Sequence, residues 1–337
     1  MGWHDFWYES ATGHLRWWWR VVTFLLVAFL ASMILCVFML MPLMAYFKDP
    51  NHIPANIMPL FFALIWLAIS LAGIAAGIWA LRTFEHLPPY TFGLSLRGPW
   101  VRALFTGAGA GLGITVLLCG ILVLTGLATL RPQVLTTGEW LLFLLTALNV
   151  LLGAIAAVVI LHGYLFQTLL RGIGPIASLL IIAALGTLFF TGTQSASLIG
   201  PANNLVLVIL LGMLYLRSGA LWAPLGLAIG WTFGQFFVAQ PVSGFSLLAS
   251  TPLSLTIAKT AWLSDPSFGP AGGLIASALL LAALAAVAYS RRGLPLESHW
   301  WEWRQLTSPQ QQSFSWDFSV GARYYQWKLL VRDRSDT

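Results

Sequence analysis

The sequence between residues 21 and 47 reads VVTFLLVAFLASMILCVFMLMPLMAYF and contains no charged residue. A second uncharged run follows at residues 57–81. A helix needs about 20 apolar residues to cross the hydrocarbon core of a bilayer, and both runs exceed that length. These two segments therefore predict transmembrane helices.

The composition of the whole chain agrees with a membrane protein. Of its 337 residues, 58% are hydrophobic and only 8% are charged, and the mean hydropathy is +0.82. Soluble domains carry about 25% charged residues, so an ordinary soluble domain is excluded. The formal net charge of +6 does not indicate a nucleic-acid partner, because Lys and Arg next to apolar runs also hold cytoplasmic loops in place.

Apolar runs separated by turn and charge signals predict an all-α fold, a polytopic transmembrane helical bundle of about eight spans. The fifth to seventh are expected to be short. The spans are placed at 21–47, 57–81, 103–128, 140–161, 175–192, 203–216, 221–239 and 272–290.

The even number of spans puts both termini on one side of the membrane. If that side is cytoplasmic, the only basic residues outside are Lys48, Arg131 and Lys259. This asymmetry is the one that the positive-inside rule expects. We therefore predict a multi-pass protein of the cytoplasmic (inner) membrane with both termini in the cytoplasm.

The chain divides into three parts. Residues 1–20 form an N-terminal cytoplasmic or interfacial segment, residues 21–292 the bundle, and residues 293–337 a cytoplasmic tail. The tail is polar and aromatic at once, whereas a merely solvating tail would carry few aromatic residues. We expect it to dock on the protein's own loops or on another subunit.

Aromatic residues cluster on both sides of the bundle. Indole rings favour the headgroup zone, so the tryptophans predict interfacial anchors; a surface for a partner or a pigment is the alternative. The candidate interface residues are Trp17, Trp18, Trp19, Trp300, Trp301, Trp303, Tyr324, Tyr325 and Trp327.

Few residues inside the predicted spans could perform chemistry. None of the 11 acidic residues falls in the middle of a span, and His162 is placed at the cytoplasmic end of the fourth. No two His, Cys or acidic residues share a helical face within a span, so no metal site and no cofactor are predicted. The glycines of Gly107–Gly113 lie in an apolar span and predict close helix packing instead of phosphate binding.

Several short stretches occur in an informative order between Asn149 and Gly273. They are Gly163-Tyr-Leu-Phe-Gln167 with Gly174-Pro175, then Gly212–Pro224, Gly230-Trp231 with Phe233, Val242-Ser-Gly244 and Phe268–Gly273. In this order they resemble the CPBP family, the CAAX-prenyl-protease and bacteriocin-processing membrane proteins. The resemblance implies a CPBP-like core at about residues 140–275.

The resemblance also implies where catalytic residues would lie. Active members carry Glu-Glu-x-x-x-Arg, Phe-x-x-x-His and His-x-x-x-Asn, in which a glutamate activates water and the other groups stabilise the developing oxyanion. Here all six functional positions differ, and the acid usual in a later stretch is Ala271. The six are Ala157, Val158, His162, Gln194, Ala228 and Thr232. We therefore expect a pseudoprotease with no catalytic residue, not an enzyme.

Three functions remain open from the sequence. The first is a scaffold, accessory or regulatory subunit of a membrane protein complex, an energy-transducing one among the candidates. The second is binding or transport of an apolar ligand (lipid, isoprenoid, quinone or pigment) in the vacated cavity, with Gln194, Asn203, Asn204 and His162 as candidate contacts. Gln194, Asn203 and Asn204 are otherwise expected to satisfy one another or broken-helix backbone within the bundle, and His162 to cap a helix at the headgroup level. The third and most remote function is an active intramembrane peptidase.

Overall fold

The protein is described by a computed structural model that covers residues 15–47, 54–96, 99–190, 198–238, 240–242, 250–257 and 268–290. The elements in these ranges are α1 (Trp17–Phe47), α2 (Met58–Phe84), α3 (Trp100–Leu124), β1 (Ala128–Pro132), α4 (Thr137–Ile160), α5 (Phe166–Ile173), α6 (Pro175–Phe190), α7 (Ile199–Ser218), α8 (Trp222–Phe237), β2 (Leu253–Ile257) and α9 (Leu274–Tyr289). A π-helical turn, Leu161–Leu165, joins α4 to α5.

A helix lies at each of the eight predicted spans. Five helical runs are long and apolar enough to cross a membrane: α1, α2, α3, the continuous run Thr137–Ile173 and α7. At 20 residues, α7 is longer than predicted. By contrast, α6, α8 and α9 have 16 residues each, below the usual length of a full crossing. Membrane-type helices are thus confirmed, whereas the number of eight crossings stays a prediction.

The fold is mostly helical, as expected, and the described part adds one short strand pair. β1 and β2 pair antiparallel, with Leu130 opposite Leu255. The backbone N–H of Gln133 extends the pairing by donating to the Pro252 carbonyl over 2.9 Å. Four of the five β1 residues are exposed, so the segment lacks the alternation that would identify a strand in the sequence.

The small residues of α3 allow it to pack closely on α8, and this is the most extensive helix–helix interface in the described part. A Cβ added at Gly107 or Gly111 would collide with the backbone of α8. Gly226 and Gly230 of α8 meet the backbone of α3 in the same way. The prediction of close helix packing is confirmed for Gly107 and Gly111, whereas a Cβ at Gly109 or Gly113 has no atom within 4 Å.

Arginines mark one end of the bundle. There the amino end of α1, the carboxyl end of α2 and helix α5 meet through contacts of Glu85 with Arg20 and Arg171. The carboxyl ends of α7 and α9 meet at Arg217, which donates to the Ala288 carbonyl over 2.6 Å. The opposite end carries the strand pair and Glu139, whose Oε1 accepts from Ser250 at 3.0 Å.

Candidate functional site

The main polar cluster of the described bundle is centred on Glu85, the residue directly after α2. Its side chain is only 4% exposed. Arg20 of α1 donates from Nη1 to Glu85 Oε1 over 3.1 Å, and Arg171 of α5 forms an ion pair with the same oxygen. Two cations therefore surround one anion where three helices meet.

Tyr164 completes this cluster from the π-helical turn. Its hydroxyl donates to Glu85 Oε1 over 3.4 Å, and the Arg171 guanidinium lies 6.0 Å from the centre of its ring. The turn departs from helical geometry at Gly163, where ψ is −126°. A Cβ at Gly163 would collide with the Phe92 ring, so only glycine allows the turn to lie this close to the loop after α2.

The cluster secures a helix that has little other burial. Phe24 and Ala28 are the only described α1 residues that are buried, and the Phe24 ring packs on Tyr164 with centroids 5.1 Å apart. Removing one member of a buried ion pair leaves an uncompensated charge and is strongly destabilising. The arrangement therefore acts as a polar anchor between α1 and the rest of the bundle.

Gln167 fixes the loop beside the cluster. Its Nε2 donates to the carbonyls of Thr91 at 3.2 Å and Phe92 at 3.1 Å. These residues belong to the short 3-10 turn Pro89–Phe92. Because Gln167 is 4% exposed, one buried amide satisfies backbone groups that water does not reach.

The positions matched to the CPBP motifs carry mostly apolar or internally bonded side chains. Val158 and Ala228 are buried, and Ala157 and Thr232 are half-buried. The Thr232 hydroxyl donates to the Ala228 carbonyl of its own helix over 2.8 Å. Gln194 lies outside the described residues.

His162, predicted at the cytoplasmic end of the fourth span, directly follows the first residue of the π-helical segment after α4. It lies in the π-helical turn and is 1% exposed. Its Nε2 is 3.3 Å from the Val208 carbonyl of α7, and its ring packs edge-on against Phe166. The helical run continues past residue 161 into α5, so His162 lies inside the run Thr137–Ile173 and not at its end.

Asn203 joins α7 to the start of α9. Its Nδ2 donates to the carbonyls of Ala271 at 2.8 Å and Gly273 at 3.0 Å, and its Oδ1 accepts from Ser277 at 2.7 Å. For Asn203, the expectation that it satisfies broken-helix backbone is confirmed. Asn204 makes a longer contact of 3.5 Å from Nδ2 to the Gly186 carbonyl.

A small cavity adjoins this pair of asparagines. Its volume is about 10 Å³, and Trp231, Gln235, Phe268 and Ala271 contribute to its lining. That volume is about the minimum that holds one water molecule. It is far below the roughly 300–1,000 Å³ of pockets for drug-sized ligands.

The predicted interface residues fall partly within the described chain. The Trp18 and Trp19 rings stack with centroids 4.5 Å apart, and Trp17 packs so tightly on Gly172 that a Cβ there would collide with its ring. The six tail residues, Trp300, Trp301, Trp303, Tyr324, Tyr325 and Trp327, lie outside the described residues. Within the described ranges, no group of three or more His, Cys, Asp or Glu could hold a metal ion.

The Glu85 cluster was not predicted because the predicted spans leave Arg20 in the N-terminal segment and Arg171 in the connection between the fourth and fifth spans. The available signal was a single acidic residue, Glu85, at the end of the bundle where the arginines gather. Comparison of the chain with family models, curated proteins and solved structures gives no match in any of the three.

Proposed function

We propose that this chain is a non-catalytic, CPBP-like membrane protein that serves as a scaffold, accessory or regulatory subunit of a membrane protein complex. The proposed location is the cytoplasmic membrane, with the arginine-rich end of the bundle facing the cytoplasm. An energy-transducing complex is one candidate partner.

This proposal rests mainly on the hydrogen bonds and ion pairs of the two carboxylates in the described part, Glu85 and Glu139. Glu85 is bound by two arginines and Tyr164. Glu139 forms a capping box with Thr136 at the start of α4. A general base needs a carboxylate oxygen within reach of water and substrate, and both of these groups are engaged in structural bonds.

Residues at the motif positions support the same interpretation. Ala157, Val158 and Ala228 have no side-chain group that can accept or donate a proton, and the Thr232 hydroxyl is bonded within its own helix. An active peptidase would need a residue from outside this set, or one contributed by a partner.

The second candidate, binding of an apolar ligand in the vacated cavity, has less support. The cavity beside Asn203 and Asn204 is about 10 Å³, which is too small for an isoprenoid, quinone or pigment. A bound lipid or pigment would need a different site, such as the outer surface of the bundle.

The exposed face of α1 is the first proposed contact surface for a partner subunit. Helix α1 exposes large side chains along its length, among them Phe29, Val37 and Phe38 at 61%, 60% and 70%. Such a face is compatible with lipid and also with a neighbouring transmembrane helix. The aromatic tail at residues 297–337 is the second proposed contact.

The test is purification of the tagged full-length protein in a mild detergent, with mass spectrometry of the proteins, absorption spectroscopy and lipid-extract analysis of one eluate. A multi-pass protein of similar size with the same tag is the control bait. We expect a stoichiometric partner that the control lacks, and visible bands would identify pigments or hemes in that partner. A monomer without partners would overturn the proposal, and an apolar molecule bound stoichiometrically to that monomer would favour the second candidate.

A further inference from the structure

The small cavity lies where three helix ends approach each other. Asn203 and Asn204 contribute from the first turns of α7, Trp231 and Gln235 from α8, and Ala271 from the 3-10 turn Pro270–Gly272 that precedes α9. Each break in a helix exposes backbone groups that must be satisfied inside a membrane protein. Polar side chains at this junction therefore have a structural task.

Most of the side-chain donors around the cavity already bond to backbone carbonyls. Asn203 gives both hydrogens of Nδ2 to backbone carbonyls. Gln235 Nε2 donates to the Trp231 carbonyl over 3.3 Å.

One acceptor in the cavity lining, Gln235 Oε1, has no donor in the described part of the chain. Gln235 is 1% exposed. A buried carbonyl oxygen without a donor is costly, because it has lost its bonds to water and gained none from protein. A hydrogen-bond donor bound in the cavity would remove this cost.

Volume and charge restrict what this occupant can be. About 10 Å³ matches the space that one water molecule needs. The cavity lining that the structure describes contains no carboxylate. A hard cation such as Ca²⁺ takes six to eight oxygen ligands, usually including carboxylates, and the amide oxygens here are too few.

We propose that this cavity binds one structural water molecule, which donates a hydrogen to Gln235 Oε1 of α8 and lies against Asn203 and Asn204 of α7. The water joins α7 to α8, next to the direct contacts through which Asn203 joins α7 to the start of α9. Two polar connections, one through water and one direct, then hold the junction of the three helix ends.

The test is an experimental structure of the full chain in lipid nanodiscs at a resolution that shows ordered waters. Wild type is compared with Gln235→Met, which keeps the side-chain length but removes the acceptor. Gln240→Met is the matched control, because Gln240 is a buried glutamine whose amide instead donates to Leu255 over 2.6 Å.

We expect a density peak at hydrogen-bond distance from Gln235 Oε1, about 2.7–3.2 Å, in wild type and in Gln240→Met, and no peak in Gln235→Met. An empty cavity in wild type would overturn the proposal, as would a protein donor on Gln235 Oε1 or a peak that persists in Gln235→Met. A peak that becomes heavier when Tl⁺ replaces the buffer cations would identify a cation and also overturn it. If a variant does not fold, the wild-type maps with and without Tl⁺ still decide.

Discussion

Arg20 near the start of α1 donates to Glu85 at the end of α2 over 3.1 Å, across 65 positions of sequence. The carboxylate is 4% exposed and the arginine 11%, so water screens their interaction only weakly. The contact joins a helix with two buried residues to the core of the bundle. The ion pair thus adds to the packing of α1 against α2 and α5.

Glu85→Gln should destabilise the folded protein strongly. The substitution leaves the guanidinium groups of Arg20 and Arg171 without a counter-charge, and removing one partner of a buried ion pair costs about 3–5 kcal/mol. Reversible unfolding of the purified protein in detergent would measure the loss.

Arg82→Gln is the matched control for this substitution. Arg82 is exposed and lies in the last turn of the same helix, so we expect a change within about 0.5 kcal/mol. Equal effects of the two substitutions would show that the Glu85 cluster contributes no specific stability.

Gly111→Ala should weaken the contact between α3 and α8. The added Cβ would meet the backbone of Leu227 and Trp231, which cannot rotate away as a side chain can. Overpacking of this kind costs about 1–3 kcal/mol. The unfolding midpoint in detergent is the measurement.

Gly109→Ala provides the control in the same stretch, because a Cβ at Gly109 has no atom within 4 Å. Alanine replaces glycine there without a clash, and we expect a gain of about 0.5–1 kcal/mol. If both variants lose stability alike, the effect belongs to the glycine stretch as a whole and not to the close approach of the two helices.

The sequence allowed the helices to be predicted but not the contacts between their ends. Apolar runs of 20 or more residues are local signals, and the glycines of α3 indicated close packing without naming α8 as the partner. The pairing of β1 with β2 depends on residues about 125 positions apart, so no local pattern reveals it.

The polar cluster escaped prediction for a related reason. The ends of the apolar runs place Arg20, Glu85 and Arg171 near membrane boundaries. Residues at such boundaries are normally assigned to solvated segments. Only the tertiary arrangement shows that the π-helical turn carries α5 onward, so that Arg171 reaches Glu85. The same continuation buries His162, whose position a simple helix end would have left at the surface.

Gln167→Met should release the loop that follows α2. The variant removes donors from the Thr91 and Phe92 carbonyls while keeping the length of the side chain. The buried Phe92 carbonyl and the part-buried Thr91 carbonyl then lose this donor, and leaving a buried acceptor unsatisfied costs about 1–3 kcal/mol unless the loop opens to water.

A cysteine at Ser95, which is 7% exposed, would report this opening. With Cys36 and Cys119 replaced by alanine, Ser95→Cys should react with a polar maleimide much faster in the Gln167→Met background than in the parent. Equal rates in the two backgrounds would show that Gln167 does not hold the loop.

The orientation of the bundle makes a prediction for intact cells. Arg102 at the start of α3 lies at the arginine-rich end, and Arg131 in β1 lies at the opposite end. Both are exposed, and the positive-inside rule places the first end in the cytoplasm.

In the background without Cys36 and Cys119, Arg131→Cys should react with a membrane-impermeant maleimide from outside, after permeabilisation of any outer membrane. Arg102→Cys should react only after cell lysis. Labelling of Arg102→Cys in intact cells, with Arg131→Cys protected, would invert the proposed topology, because the two residues flank one membrane-length helix and must lie on opposite sides if that helix crosses the bilayer.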